Sequence, residues 1–214
     1  MAENPRWTGY PAGAHEFATF CSQRARLSIC KWLRTVQFFM VSVETVTPKS
    51  IFIFKEARLR ALQDSPTAFG ATYARESQLT DAEWMERARQ SDGVKRVMYM
   101  AVEDGVGDEK MVCGIAGALM EEAAFQVNEA TRAQLISMWT APGHRKKGVG
   151  RMLVEEVIAW ARSRGVKVLT LMVTSVNPTA TKFYEQLGFV RTGRTEPYPN
   201  DAAVIEYEMA RAID

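Results

Sequence analysis

Residues Ala141–Glu156 read APGHRKKGVGRMLVEE. Three cations, Arg145, Lys146 and Lys147, run into two glycines, Gly148 and Gly150, and the glycines run into an apolar periodic segment. The first N–H groups of a helix have no intrahelical partner, so that end already carries a positive field. Cations placed there are locally unfavourable unless an anion sits against them. Gly148 and Gly150 have no side chains to hold a bulky anion off the backbone. Free N–H groups of the first turn point toward it, and Arg151 adds charge. Pyrophosphate meets these demands. By itself the pattern also fits a glycine-containing loop under a solvated basic patch, because G-x-G alone is a weak signal. It is not the G-x-x-x-x-G-K-[ST] phosphate loop, and Leu153 stands where the dinucleotide fingerprint wants a third Gly or Ala.

The flanking segments set the fold class. AQLISMWTA (133–141) reads as a strand. GVGRMLVEEVIAWARSRG (148–165) reads as a helix, with Val149, Leu153, Val157 and Trp160 on one stripe and Gly165 stopping it. VKVLTLMV (166–173) is a nearly continuous apolar run, as a strand covered on both faces requires. Strand, helix and strand in sequence imply a parallel pair joined by a right-handed crossover.

Upstream, Thr47-Pro48 reads as N-cap and first helical position. Ile51, Phe54, Ala57, Arg58 and Leu62 recur at helical spacing up to a break at Asp64-Ser65-Pro66. Thr80 and Glu83 form a capping box for a second helix reaching about Gln90, and ATYARESQL between the two is ambiguous. VMYMAVED (97–104) and KMVCGIAGALMEE (110–122) read as a hairpin about DGVGDE, with Gly114 and Gly117 marking a close approach by another backbone or a ligand. A polar loop covers Gln126 to Arg132. Downstream, Asn177-Pro178 opens a short helix ending at Leu187-Gly188. FVRTGRTEPY and AAVIEYEMA read as two final strands joined through Pro197, Pro199 and Asn200. Helices come first, then strands alternating with helices: one α/β domain with a mixed sheet flanked by helices.

Composition narrows the function. The chain has 214 residues, 47% hydrophobic and 24% charged, with a net charge of +2, an ordinary balance for one soluble domain. A charge so near zero gives no reason to expect nucleic acid as a partner. Cys21, Cys30 and Cys113 lack CxxC spacing, which argues for a reducing, cytoplasmic setting over a disulfide framework. With His15 and His144 the only histidines, a zinc site is not expected. No apolar run approaches the ~20 residues that span a bilayer, so no membrane partner is expected. Residues 1–39 are basic and acid-poor, ending in CKWLRTVQFF; they read as an N-terminal extension upstream of a natural start at Met40, with the domain over 40–214.

Two signatures together go further. R-K-K-G-V-G (145–150) resembles the R/Q-x-x-G-x-G/A motif of the GNAT superfamily of N-acetyltransferases. NPTATKFYEQLGF (177–189) resembles its N-x-x-A-x-x-x-Y-E-x-x-G-F segment. The resemblance covers roughly Val43 to Ile213, and RLRALQDSPTAFG (58–70) resembles a bacterial-type subgroup acting on small molecules or peptides. It implies acetyl-CoA as co-substrate, with pyrophosphate on Arg145, Lys146, Lys147, Gly148, Val149, Gly150 and Arg151. It implies a strand pair splayed around the pantetheine arm, with the backbone of Met138, Trp139 and Thr140 beside it and an N–H there polarising the thioester carbonyl. Asn177, which also reads as a plain N-cap, would contact the arm. Tyr184 matches the family tyrosine that protonates the departing thiolate, although its placement alone also fits a ring packed in the core.

For the proton of the attacking amine, Glu121, Glu122 and Glu76 are candidates by position, and each also reads as a solvated surface acid. Tyr73 and Tyr198 are candidates to shape the pocket. Phe183, Phe189 and Cys113 read as core, and Trp139 fits strand packing and an acceptor-pocket wall about equally. The implied activity is direct acetyl transfer to a primary amine of a small molecule or peptide, with a homodimer as a candidate assembly because many relatives are dimers. The rival readings are an acetyl-CoA-binding sensor without transferase activity and a nucleotide-dependent enzyme; the missing phosphate-loop Lys-Ser pair and metal-binding acids speak against the second.

Overall fold

The computed structural model describes residues 40–105, 110–121 and 131–214. Their strands are β1 (Val41–Thr45), β2 (Arg96–Asp104), β3 (Lys110–Met120), β4 (Arg132–Thr140), β5 (Val168–Thr174), β6 (Val190–Tyr198) and β7 (Asp201–Ala212). The helices are α1 (Ile51–Asp64), α2 (Tyr73–Glu76), α3 (Asp81–Gln90), α4 (Val149–Ser163) and α5 (Pro178–Gln186). The strands form one sheet in the order β1-β2-β3-β4-β5-β7-β6. β4 and β5 are parallel, and every other adjacent pair is antiparallel. The expected mixed sheet and parallel crossover are therefore present.

Two layers of side chains cover the sheet. On one face, the α4 stripe of Val149, Leu153, Val157 and Trp160 packs with Leu169, Leu171 and Val173 of β5 and Phe189. On the other, Ile51, Phe54, Ala57 and Leu62 of α1 and Trp84 of α3 pack on Met98, Met100 and Val102 of β2. The close approaches at the β3 glycines have named causes. A Cβ at Gly114 would lie 2.8 Å from Leu153 Cδ1 of α4, and one at Gly117 would lie 2.2 Å from Met98 Sδ.

Three local readings change. The chain enters the sheet before any helix, through β1, whose V-S-V-E-T alternation is only five residues long. α1 starts at Ile51 and not at Pro48, because Thr47–Ser50 close a turn in which Ser50 N–H donates to Thr47 O at 3.0 Å. The ambiguous ATYARESQL contains the single-turn α2, capped by Thr72 accepting from the Arg75 N–H. The Thr80–Glu83 capping box is complete. The polar loop before β4 and Glu122 lie outside the described residues. Pro197 sits on β6, the edge strand, the position in a sheet where proline is tolerated.

Candidate active site

β4 and β5 pair only through Arg132–Val168, Ala133–Leu169 and Gln134–Thr170. Beyond Gln134 the strands separate. β4 carries a bulge there: it takes three steps, Ile136 to Trp139, where β3 takes two, Gly117 to Ile115. Ser137 absorbs the extra residue at φ +57°, an unusual conformation for a residue with a side chain. The bulge also shifts the strand's alternation. Leu135 and Met138, an odd number apart, both face the α4 layer, while Ile136 and Trp139 face the α1 layer. A cleft of ≈ 1320 Å³ passes through this gap, reaching both faces of the sheet. Along it, β4 has no strand partner on the β5 side.

On the α4 face, the cleft meets the start of that helix. Gly148 is the N-cap, at φ +90° with open space around it, and no side chain caps the helix. The first turn holds no acid. The first intrahelical bond is Met152 N–H to Gly148 O, so the N–H groups of Val149, Gly150 and Arg151 have no carbonyl within the helix. This is an anion site of backbone donors. Gly150 serves packing more than ligand space: a Cβ there would sit 3.1 Å from Met138 Cε and 3.2 Å from Phe183 Cζ.

The basic residues divide. Lys146, at φ +62°, and Arg151 line the cleft. Arg145 also lines it, but its guanidinium is held by the Asp64 carboxylate and, at 3.0 Å, by Thr140 O. It ties the loop down. Lys147 is exposed away from the cleft, and the Val149 side chain is buried beneath α4.

Tyr184 is both packed and at the cleft. Its ring packs against Phe183 and Phe189, with centroids 5.3 and 5.8 Å away, and the residue lines the cleft. Burial pushes its phenol far above the ordinary value, so it holds its proton throughout the neutral range. Asn177 caps α5 by accepting from the Ala180 N–H at 3.0 Å, and it too borders the cleft. Phe183 lines the cleft while Phe189 is core. Cys113 is core as well, its thiol donating to Ala101 O and pushed up to about 11, chiefly by burial.

On the opposite face, Trp139 is buried and lines the cleft at once. Its Nε1 donates to Asp64 at 2.9 Å. Burial works against the Asp64 charge, but hydrogen bonds from Trp139 and Ser65 and the Arg145 charge outweigh it and hold the carboxyl below its usual range. One carboxylate thus joins the C-terminus of α1, β4 and the glycine loop. Tyr198 takes no part in the cleft wall; its hydroxyl lies 2.9 Å from Pro66 O and 2.8 Å from Phe69 O, shares its one proton between them, and fixes the loop after α1.

Of the acids named from sequence, the described ones, Glu76 and Glu121, are engaged elsewhere. Glu76 is not solvated: it is buried and bonded to Arg58 Nε at 3.0 Å and Arg87 at 3.2 Å. Glu121 accepts from Arg132 at 3.0 Å and from Thr170 at 2.6 Å. The cleft instead presents Glu196 and Glu206, which the sequence reading passed over. The available signal was the alternation in VIEYE, which sends Glu206 to one side of β7.

The Acetyltransferase (GNAT) family model matches residues 59–189, well over half the chain. The chain belongs to that family. GNAT relatives include a streptothricin acetyltransferase from Streptomyces lavendulae, 47% identical over 53 residues, or 25% of this chain and 28% of that protein. The [ribosomal protein bS18]-alanine N-acetyltransferase of Salmonella typhimurium is 38% identical over 80 residues, 36% of this chain and 54% of that protein. The match thus spans about a quarter to a half of these relatives' lengths. Among solved structures, yncA of Salmonella typhimurium with its cofactor acetyl-CoA superposes with a TM-score of 0.60 at 17% identity, covering 82% of this chain and 95% of that one. That likeness is one of fold.

Acetyl-CoA is the co-substrate of the family. The cleft fits such a molecule on its own geometry: uncapped backbone donors at one end, a gap between parted strands in the middle, and a buried phenol beside it.

Proposed function

We propose that this chain transfers an acetyl group from acetyl-CoA to a primary amine by direct attack with both substrates bound. The observation that carries this reading is the coincidence, in one cleft, of the uncapped α4 N-terminus, the parted β4–β5 backbone and Tyr184. Acetyl-CoA would bring the acetyl group as an activated thioester. The N–H groups of Val149 to Arg151, with Lys146 and Arg151, would hold its pyrophosphate. The unpaired β4 backbone at Met138 to Thr140 would line the arm and supply a donor to the carbonyl oxygen. Tyr184, kept protonated by burial, would give its proton where a thiolate develops. Arg145 holds the loop in place through Asp64. Residues 40–214 would form the transferase domain, with 1–39 an extension outside it.

Initial rates of thiol release at varied acetyl-CoA and amine provide the test. Intersecting double-reciprocal lines, with one acetylated amine per thiol, are expected. Parallel lines, or a burst of thiol without amine, would point to an acetylated enzyme and contradict direct transfer.

A further inference from the structure

Glu206 is a cleft acid with no cation of its own. It stands on β7 opposite Thr174 of β5 and opposite Glu196 of β6. Directly paired residues of an antiparallel ladder point to the same face, so the three side chains form a row across the sheet, and all three residues line the cleft. Further along that face, Glu208 is held by Arg132 at 3.2 Å and Arg194 at 3.4 Å. Glu196 is held by Arg194 as well. No described residue donates to Glu206. Burial, then the Glu196 charge, pushes its carboxyl above the usual range.

A second observation points the same way. Thr174 is only 3% exposed, and its hydroxyl has no hydrogen-bond partner. A half-buried acid and a buried hydroxyl left unmatched are both unfavourable, and a ligand with N–H donors relieves both. Of the neighbouring cations, Arg132 is taken by Glu121 and Glu208 and Arg194 by Glu196 and Glu208, so neither is paired with Glu206. Arg58, which also lines the cleft, gives its Nε and Nη2 to Glu76, while its Nη1 has no hydrogen-bond partner. The row lies on the sheet face opposite Leu171 and Val173, the face on which the Tyr184 ring packs. The gap between β4 and β5 joins the two.

We propose that Glu206 anchors the acceptor's ammonium and takes its proton, and that the acceptor bears a further positive charge and no carboxylate beside the reacting nitrogen. The proposal rests on the transferase reading above. One ammonium proton passes to Glu206 and on to water. The freed lone pair forms the N–C bond, and the C–S bond breaks with its electron pair on sulfur. Tyr184 protonates the sulfur, and the amine's second departing proton restores the tyrosine.

The test uses the full chain with 1,4-diaminobutane, butylamine and alanine. Thermal unfolding without acetyl-CoA reads binding, and thiol release with it reads transfer. The diamine should raise the melting temperature where alanine does not. Its kcat/KM should exceed that for alanine by roughly tenfold or more, the worth of one charge-assisted contact. Glu206→Gln should abolish the diamine shift and lower kcat/KM by on the order of 100-fold, while acetyl-CoA still stabilises the variant and so shows it folded. Glu196→Gln should narrow the gap between the diamine and butylamine. Alanine used as well as the diamine, or a wild-type diamine shift and rate in Glu206→Gln, overturns the proposal alone. Acetyl-CoA binding with no thiol released to any amine overturns the transferase reading and this proposal with it.

Discussion

The two halves of the cleft are built on different principles. The α4 side is backbone: a glycine N-cap, three free N–H groups and a parted strand, drawn from the continuous stretch Ser137–Arg151. The far side is side chain: Trp139, Thr174, Glu196 and Glu206 arrive from separate strands, with Asp64 behind Trp139. Backbone donors recognise any pyrophosphate, so that half suits a co-substrate common to a whole family. Partly exposed side chains such as Glu196 and Glu206 can be exchanged without disturbing the sheet, so that half suits an acceptor that differs between members.

The largest effect is expected at Tyr184, which on the proposed reading would serve chemistry and neither binding half. Tyr184→Phe should lower turnover by roughly 100- to 10,000-fold, the usual worth of a positioned acid, and leave the stabilisation by acetyl-CoA unchanged. Equal turnover in both proteins would remove the residue from the acid role.

Next in size is Glu76, part of the scaffold behind the side-chain half. Breaking a buried ion pair by removing one partner costs about 3–5 kcal/mol, and Glu76→Gln should approach the lower end in chemical denaturation. Burial opposes its charge, but Arg58 and Arg87 more than compensate and lower its folded pKa. Its stabilising contribution is therefore complete above the unfolded carboxylate value of ~4.3 and disappears as pH falls toward the lower folded value. The acid limb of the wild-type stability curve should be steeper than that of Glu76→Gln; parallel limbs would exclude this linkage.

Gly150 separates the two meanings of a glycine in the backbone half. With Met138, Phe183 and Thr140 within 3.4 Å of the added Cβ, Gly150→Val should destabilise the apo protein by about 1–3 kcal/mol through overpacking. Gly148 has open space but a φ of +90°, so Gly148→Ala should strain the loop and weaken acetyl-CoA binding more than it disturbs the core. An apo melting temperature at the wild-type value in Gly150→Val would return that glycine to a ligand-space role.

The smallest effect is expected at Asp64, the carboxylate joining the halves. Asp64→Asn retains an acceptor for Trp139 but loses the charge opposite Arg145. It should raise the KM for acetyl-CoA by a few-fold, about 1 kcal/mol, with kcat little changed. A fall in kcat with KM constant would place Asp64 nearer the chemistry than the glycine loop.

The same division explains what could be read from the chain. The backbone half was legible because its parts are local: a glycine pair at a helix start, a stripe of Val149, Leu153, Val157 and Trp160, and an N-cap three residues before Ala180 are all short-range patterns. The bulge at Ser137 left no such mark, since no residue type in LISMW demands it, and it decides which face receives Trp139. The tie between Arg145 and Asp64 left no local mark either, since the two lie 81 positions apart. Glu206 was missed for the same reason. Its neighbours Thr174 and Glu196 meet it only through strand order, and the placement of β7 between β5 and β6 is a long-range fact. β1 was overlooked because five alternating residues give too short a period to register.

The central claim is that the uncapped N-terminus of α4 binds the pyrophosphate of acetyl-CoA. Thermal unfolding of the full chain in increasing acetyl-CoA, with ATP and NAD in parallel, tests it most directly. At 100 times its dissociation constant a ligand stabilises the fold by ~2.7 kcal/mol, which is a rise of roughly 5–10 °C for a chain of this size. The expected result is that rise with acetyl-CoA, a smaller one with ATP and NAD, whose phosphate chains lack a pantetheine arm to fill the gap between β4 and β5, and a reduced rise in Gly148→Ala. An unmoved transition at saturating acetyl-CoA, or an equal rise with all three ligands, would contradict it.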